Sequence, residues 1–285
     1  MSKPIGKIVD TLIGFRDIDP HPKMPGVRAE HKDGVHPHAY MFKEIPDSLT
    51  EKDDPDASIV ETLGKMDKFG IEYGLVSLTS QQTPRAVREH SDRFVCSLGV
   101  DGNQGMDAVR AIVRAKEEHG IRAITIFPSG VYPPLPINDK HWYPVYAKCV
   151  ELDIPVFVAV GVPGPRVPMM PQWVGYLDEV CYDFPDLRFV FRHGCEPWAD
   201  LTVKLLLKWP NLYYSTTAFA PKYYPAALVQ YANTRGADKV LFGSYYPWGF
   251  QLDRVFDELD RVPFRDDVWP KFLCENAARV LRLPT

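Results

Sequence analysis

The chain has 285 residues, of which 45% are hydrophobic and 25% charged, and a formal net charge of −4. That length fits one large domain with a full core, and no run approaches the ~20 apolar residues that a membrane helix requires. The slight negative charge and the absence of a basic run argue against nucleic acid, which needs a Lys/Arg stripe to offset phosphate; a small molecule is the expected partner.

The first residues, MSKPIGKIVDTLIGF, hold an apolar run too short for an export signal and interrupted by Asp10, without a small-residue cleavage site. A cytoplasmic setting is therefore expected. Five cysteines (Cys96, Cys149, Cys181, Cys195 and Cys274) are odd in number and widely scattered, which fits reduced thiols better than a disulfide framework or a zinc knuckle.

In chain order, KIVDTL (7–12) is the first β-rich run, and a loop over roughly residues 15–55 follows it. Such a loop is far longer than the few residues usual between elements and suggests a lid. ASIVETLGKMDKF then carries apolar residues at helical spacing and stops at Gly70-Ile71, feeding the strand YGLVSL (73–78). FVCSLGV (94–100) precedes a second amphipathic run, MDAVRAIVRAKEEH, which stops at Gly120-Ile121 before RAITIF (122–127). The remaining strand candidates are PVFVAV (155–160), LRFVFRH (187–193), LYYSTT (212–217) and VLFGS (240–244).

Short strands alternating with helical segments imply a parallel sheet, and eight is the number that closes a (β/α)8 TIM barrel. An open doubly wound sheet shares the alternation. However, GFRDIDPHPKMPG after the first strand lacks the glycine spacing that cradles a nucleotide phosphate. One α/β barrel domain over residues 1–285, with a long loop after strand 1 and an extra C-terminal helix, is the expectation.

The motifs RHGCEPW (192–198) and LFGSYYP (241–247) stand at the ends of the sixth and eighth strands, and YPVYAKCVELDIPV and ENAARVLRL fall in matching order. In these the chain resembles the amidohydrolase-related family that includes aminocarboxymuconate-semialdehyde decarboxylase, resorcylate-type decarboxylases and a pyrone-dicarboxylate lactonase. The resemblance implies a TIM barrel. It also implies a metal held at the C-terminal mouth by Asp-x-His-x-His on strand one, a His on strand five and an Asp on strand eight.

At those positions this chain carries Asp10-Thr11-Leu12-Ile13-Gly14, Ala159 and Tyr245. Catalytic zinc takes three protein ligands and magnesium or manganese prefer carboxylates; Leu12, Gly14 and Ala159 supply neither. No metal and no other cofactor is expected, with an unusual ligand set as the alternative.

Side-chain alternation along strands is read as directing Asp10, Leu12 and Gly14, Phe191 and His193, and Gly243 and Tyr245 into the barrel. On that reading Tyr245 fills the vacated metal pocket within reach of His193. His193 is the expected acid/base and Tyr245 the hydrogen-bond donor to a carbonyl. Asp10 either orients His193, acts as a base, or anchors a loop through backbone amides.

Arg16 either grips a substrate carboxylate or forms a salt bridge, and Glu196 either joins the site or caps the helix beginning at Pro197. Tyr40, Phe42, Trp198 and Trp248, on the mouth-side loops, would shield an apolar or aromatic ligand, or form a subunit interface. Cys195 as a nucleophile and His36-Pro37-His38 as a displaced metal pair are weaker readings. The function expected is a metal-independent hydrolase or carbon–carbon lyase acting on a small cyclic or aromatic acid, in a homodimer. A non-catalytic barrel derived from such an enzyme, and a metal-dependent hydrolase, are the alternatives.

Overall fold

The computed structural model describes residues 6–16, 24, 26–34, 40–42 and 55–284. The pair His36 and His38, and most of the long loop after the first strand, lie outside the described residues.

Each β-rich run forms a strand: β1 (Ile8–Asp10), β2 (Ile71–Ser77), β3 (Phe94–Val100), β4 (Ala123–Ile126), β5 (Val156–Ala159), β6 (Phe189–Arg192), β7 (Leu212–Ser215) and β8 (Val240–Leu241). They pair in chain order as one eight-stranded parallel sheet. The sheet closes on itself where Thr11 N donates to Phe242 O, Tyr245 N donates to Leu12 O, and Ile13 bridges Tyr246. This is the (β/α)8 barrel.

Helices α1 (Pro55–Phe69), α2 (Thr83–Glu89), α3 (Met106–His119), α4 (Tyr143–Glu151), α5 (Tyr176–Asp183), α6 (Ala199–Lys208), α7 (Ala226–Ala232) and α8 (Leu252–Leu259) alternate with the strands. The two glycine stops adopt left-handed backbone, with φ of 70° at Gly70 and 63° at Gly120. Glycine takes this conformation without the Cβ clash that other residues meet. The stop before β5 uses Asp153 instead, at φ 50°.

Two apolar layers hold the barrel. Phe189 and Phe191 face outward with Tyr146 and Trp142 in the layer beneath the helices. Val9, Leu75, Val95, Phe157, Val190 and Leu241, one from each of six strands, form the inner layer. Packed against that inner layer is the C-terminal helix α9 (Asn276–Leu281), through Ala277, Ala278, Val280 and Leu281. Asn276 Nδ2 ties α9 to the entry of β8 by donating to Ala237 O and Val240 O. The N-terminal end of the barrel is therefore plugged, and the interior can open only at the strands' C-terminal ends. Among the described residues no helix is long and apolar enough to cross a membrane.

Candidate active site

Alternation continued upward from the inner apolar layer changes its chemistry. Two residues beyond Val9, Leu75, Val190 and Leu241 come Thr11, Ser77, Arg192 and Gly243. Thr11 Oγ1 lies 2.7 Å from Ser215 Oγ, and a Cβ on Gly243 would strike Thr217, Thr11 and Ser215 at 2.4–3.0 Å. On the β2–β4 side the same level stays open: Ser77 and Thr125 are half-buried and Gly99 is exposed. A strand residue inside a barrel is exposed to water only where the interior is not filled. The mouth is thus a polar cavity above an apolar floor.

This register corrects the parity assumed for strand six. Phe191 belongs to the outer layer, Val190 and Arg192 point inward, and His193 follows the strand in left-handed backbone at φ 64°. Cys195 (62°), Ala218 (66°) and Tyr245 (68°) share that conformation. Non-glycine residues held there cost about 1–3 kcal/mol each and concentrate at functional sites. All four lie just past β6, β7 and β8, at the mouth. His193 is held by its N–H donating to Thr217 Oγ1 at 3.1 Å.

The His193 and Tyr245 rings meet edge to face, with centroids 5.4 Å apart. His193 Nδ1 is enclosed and has no hydrogen-bond partner. Burial, followed by the charge of Arg192, depresses its pKa to about 3, so the imidazole is neutral before any ligand binds. Burial raises the Tyr245 phenol, with Arg192 opposing; it stays protonated and able to donate.

Asp10 has the opposite parity from Val9 and Thr11 and is fully buried. Its Oδ1 accepts from Leu12 N (3.0 Å) and Ser244 N (2.9 Å), while Oδ2 has no partner. Burial pushes its pKa up to about 6 against those hydrogen bonds. These bonds pin the end of β1 to the segment after β8, and among the described residues Asp10 makes no hydrogen bond to His193. Arg16 forms an ion pair, its Nε and Nη2 both reaching Glu61 Oε2 at 2.8 Å. Glu61 Oε1 in turn accepts from the Tyr246 hydroxyl at 3.2 Å.

Glu196 is exposed and does not cap α6, whose N-cap position is Trp198 without a side-chain bond. Trp198 packs, half-buried, against the outer layer. Phe42 comes down from the long loop onto Tyr245 (5.7 Å) and Phe250 (5.3 Å). Tyr40 instead donates to Gly164 O and lies under Arg166, so the loop bears on two sides of the mouth. Cys195 is buried, its thiol pushed up to about 12 by burial, which leaves no nucleophilic thiolate.

The space beside Gly14, after β1, is taken by Trp248. A Cβ on Gly14 would lie 2.2 Å from Trp248 Cη2 and 2.5 Å from Cζ2. Trp248, 5.9 Å from Tyr245, therefore occupies the room a side chain at position 14 would need. With Leu12 and Ala159, both buried, at the other positions, this donor set does not fit a resident metal. Among the described residues no cluster of three His, Cys, Asp or Glu side chains could hold one.

Arg192 escaped the sequence reading. It is 7% exposed, inward at the top of β6 beside Ala159, with its guanidinium 6.0 Å from the Phe157 ring. Counting alternation from Val190 instead of from Phe191 would have found it.

Known proteins sharpen this picture. A 2-keto-4-carboxy-3-hexenedioate hydratase from Sphingobium is 29% identical over 115 residues, a match spanning 35% of this chain and 34% of the hydratase. An uncharacterized TIM-barrel protein from Bordetella bronchiseptica aligns over 97% of this chain and 98% of its own at 23% identity, with a TM-score of 0.71. A manganese-bound 5-carboxyvanillate decarboxylase from Novosphingobium aromaticivorans aligns over 98% and 96% at 16% identity, with a TM-score of 0.68. The sequence profile of the amidohydrolase family matches residues 31–283, and the chain belongs to that family.

Proposed function

We propose that this chain is a hydrolase or carbon–carbon lyase that works without a metal ion on a small cyclic or aromatic carbonyl-containing acid. The observation that carries this is the edge-to-face contact, at an open polar barrel mouth, of the Tyr245 ring with His193, whose enclosed Nδ1 has no partner among the described residues. Buried polar atoms without partners are rare in folded proteins and call for a reason such as a bound group. The hydratase and the decarboxylase named above both act, by their names, on carboxylated compounds, which favours the same substrate class here.

Neutral His193 accepts a proton from an attacking water or an acidic substrate group, and Tyr245 donates to the carbonyl oxygen on which negative charge develops. Phe42 and Trp248, packed on Tyr245, exclude bulk water and strengthen that hydrogen bond. A retired, non-catalytic barrel would be collapsed and apolar at this level, whereas Ser77, Gly99 and Thr125 keep it accessible. A cytoplasmic setting and a homodimer belong to the same proposal.

The test is His193→Asn, assayed on a panel of cyclic and aromatic carboxylates after dialysis against EDTA. We expect dialysed wild type to turn over its best substrate, and the variant to lose about a hundredfold or more in kcat/KM. Unchanged turnover in the variant removes His193 from the chemistry. Activity that vanishes on dialysis and returns with manganese refutes metal independence.

A further inference from the structure

We infer that Arg192 is the binding site for a ligand carboxylate, a fixed positive charge held at the barrel mouth. The inference deepens the substrate class proposed above, and it rests on different atoms.

A guanidinium taken out of water loses its solvation, a cost that stands unless a partner offsets it. Buried arginines are accordingly almost always paired. Arg192 is more than nine-tenths buried, yet its Nε has no hydrogen-bond partner. Among the described residues no carboxylate lies within ion-pair distance of it. Its surroundings are the Phe157 ring, the methyl of Ala159, and the uncharged His193 and Tyr245. Desolvation pulls its own pKa down to about 10, so it remains charged at neutral pH while retaining the cost of burial.

A site that leaves such a charge unneutralised among the described residues is arranged for an anion that arrives from outside. The fork of a guanidinium matches a carboxylate in two parallel hydrogen bonds. The other arginine placed here by sequence, Arg16, is already committed to Glu61, so the charge left to be balanced is that of Arg192, and a monoanion balances it. A phosphate with two charges would be left half-compensated. The flat Phe157 face beside the guanidinium suits an acid attached to a ring. With the carboxylate on Arg192, a carbonyl elsewhere on the same small molecule comes beside His193 and Tyr245, both of which feel the Arg192 charge.

Benzoate and its uncharged isostere benzamide test this by calorimetry on wild type, Arg192→Met and Arg192→Lys. Wild type should bind benzoate at least tenfold more tightly than benzamide. Arg192→Met should erase that preference while leaving benzamide binding within twofold, and Arg192→Lys should restore part of it. Without ligand, Arg192→Met should melt no lower than wild type, because an apolar side chain of similar length replaces an uncompensated charge.

Equal binding of the two probes to wild type, binding of neither included, overturns the assignment. So does an Arg192→Met protein that keeps the preference, or one that melts well below wild type, since Arg192 would then have a structural partner. Because no turnover is read, failure of the His193 test leaves this result standing, and the converse holds too.

Discussion

Replacing Asp10 by Asn separates an anchor from a base and does so through a pH dependence whose size follows from burial. In the folded chain the carboxyl is fully enclosed, with its pKa raised from 3.8 to about 6, burial being the larger influence and the hydrogen bonds to Ser244 and Leu12 opposing it. A carboxyl raised in this way contributes stability that is complete below its unfolded pKa and is lost as pH rises through its folded one. The window is therefore roughly pH 4 to 6. A shift of about two units corresponds to ~3 kcal/mol.

Asn keeps an Oδ1 acceptor for the Leu12 and Ser244 amides, but its Nδ2 takes the place of the partnerless Oδ2. At pH 4 the folded wild type carries a neutral carboxyl whose own donor at Oδ2 is also unmade, so Asp10→Asn should match wild type there within about 1 kcal/mol. The difference should then move by about 3 kcal/mol in the variant's favour by pH 8, where wild type carries a buried charge and the variant does not. Urea unfolding of both proteins at the two pH values measures it. A stability difference that stays constant within about 0.5 kcal/mol would show that Asp10 carries no such burden and refute the reasoning. Turnover near wild type is expected alongside, because an amide that holds the same two backbone N–H groups preserves an anchor and abolishes a base.

The closure of strand one makes its own prediction. Gly14→Ala places a methyl 2.2 Å from Trp248 Cη2 and should destabilise by about 1–3 kcal/mol, with Trp248→Leu restoring most of the loss in the double variant; a Gly14→Ala protein as stable as wild type would show that Trp248 does not fill that space. Tyr245→Phe removes the donor and leaves the ring packed on Phe42 and Trp248. It should lower kcat by about 100-fold or more with little change in KM, and an unchanged kcat would reduce Tyr245 to a plug.

The distance between sequence and structure is clearest at the strand ends. Alternating β-rich and amphipathic runs located all eight strands, and Gly70 and Gly120 marked the helix stops, because these are local features in which backbone sterics and apolar periodicity act within a few residues. Leu12, Gly14 and Ala159 were equally legible as non-ligands, since side-chain chemistry needs no coordinates. Parity was miscounted within β1, where Val9 and not Asp10 faces the interior, and within β6, and it did not survive past the strand ends. His193 and Tyr245 enter the mouth through left-handed backbone, which alternation cannot anticipate, and the inward residue of β6 proved to be Arg192 and not Phe191.

Which alternative each polar residue takes was likewise decided by tertiary contacts. Arg16 meets Glu61 across 45 residues, and Asp10 meets Ser244 across 234, closing the barrel between its first and last strands. The amino-acid order by itself determined the number of strand–helix units and set Leu12, Gly14 and Ala159, which carry no ligand atoms, where the family resemblance implies metal ligands, because both depend on residue type and short-range spacing. Folding alone decided that Trp248 fills the gap at Gly14 and that the Arg192 guanidinium is buried without a counter-charge among the described residues, because those facts depend on which distant side chains share the same few ångströms.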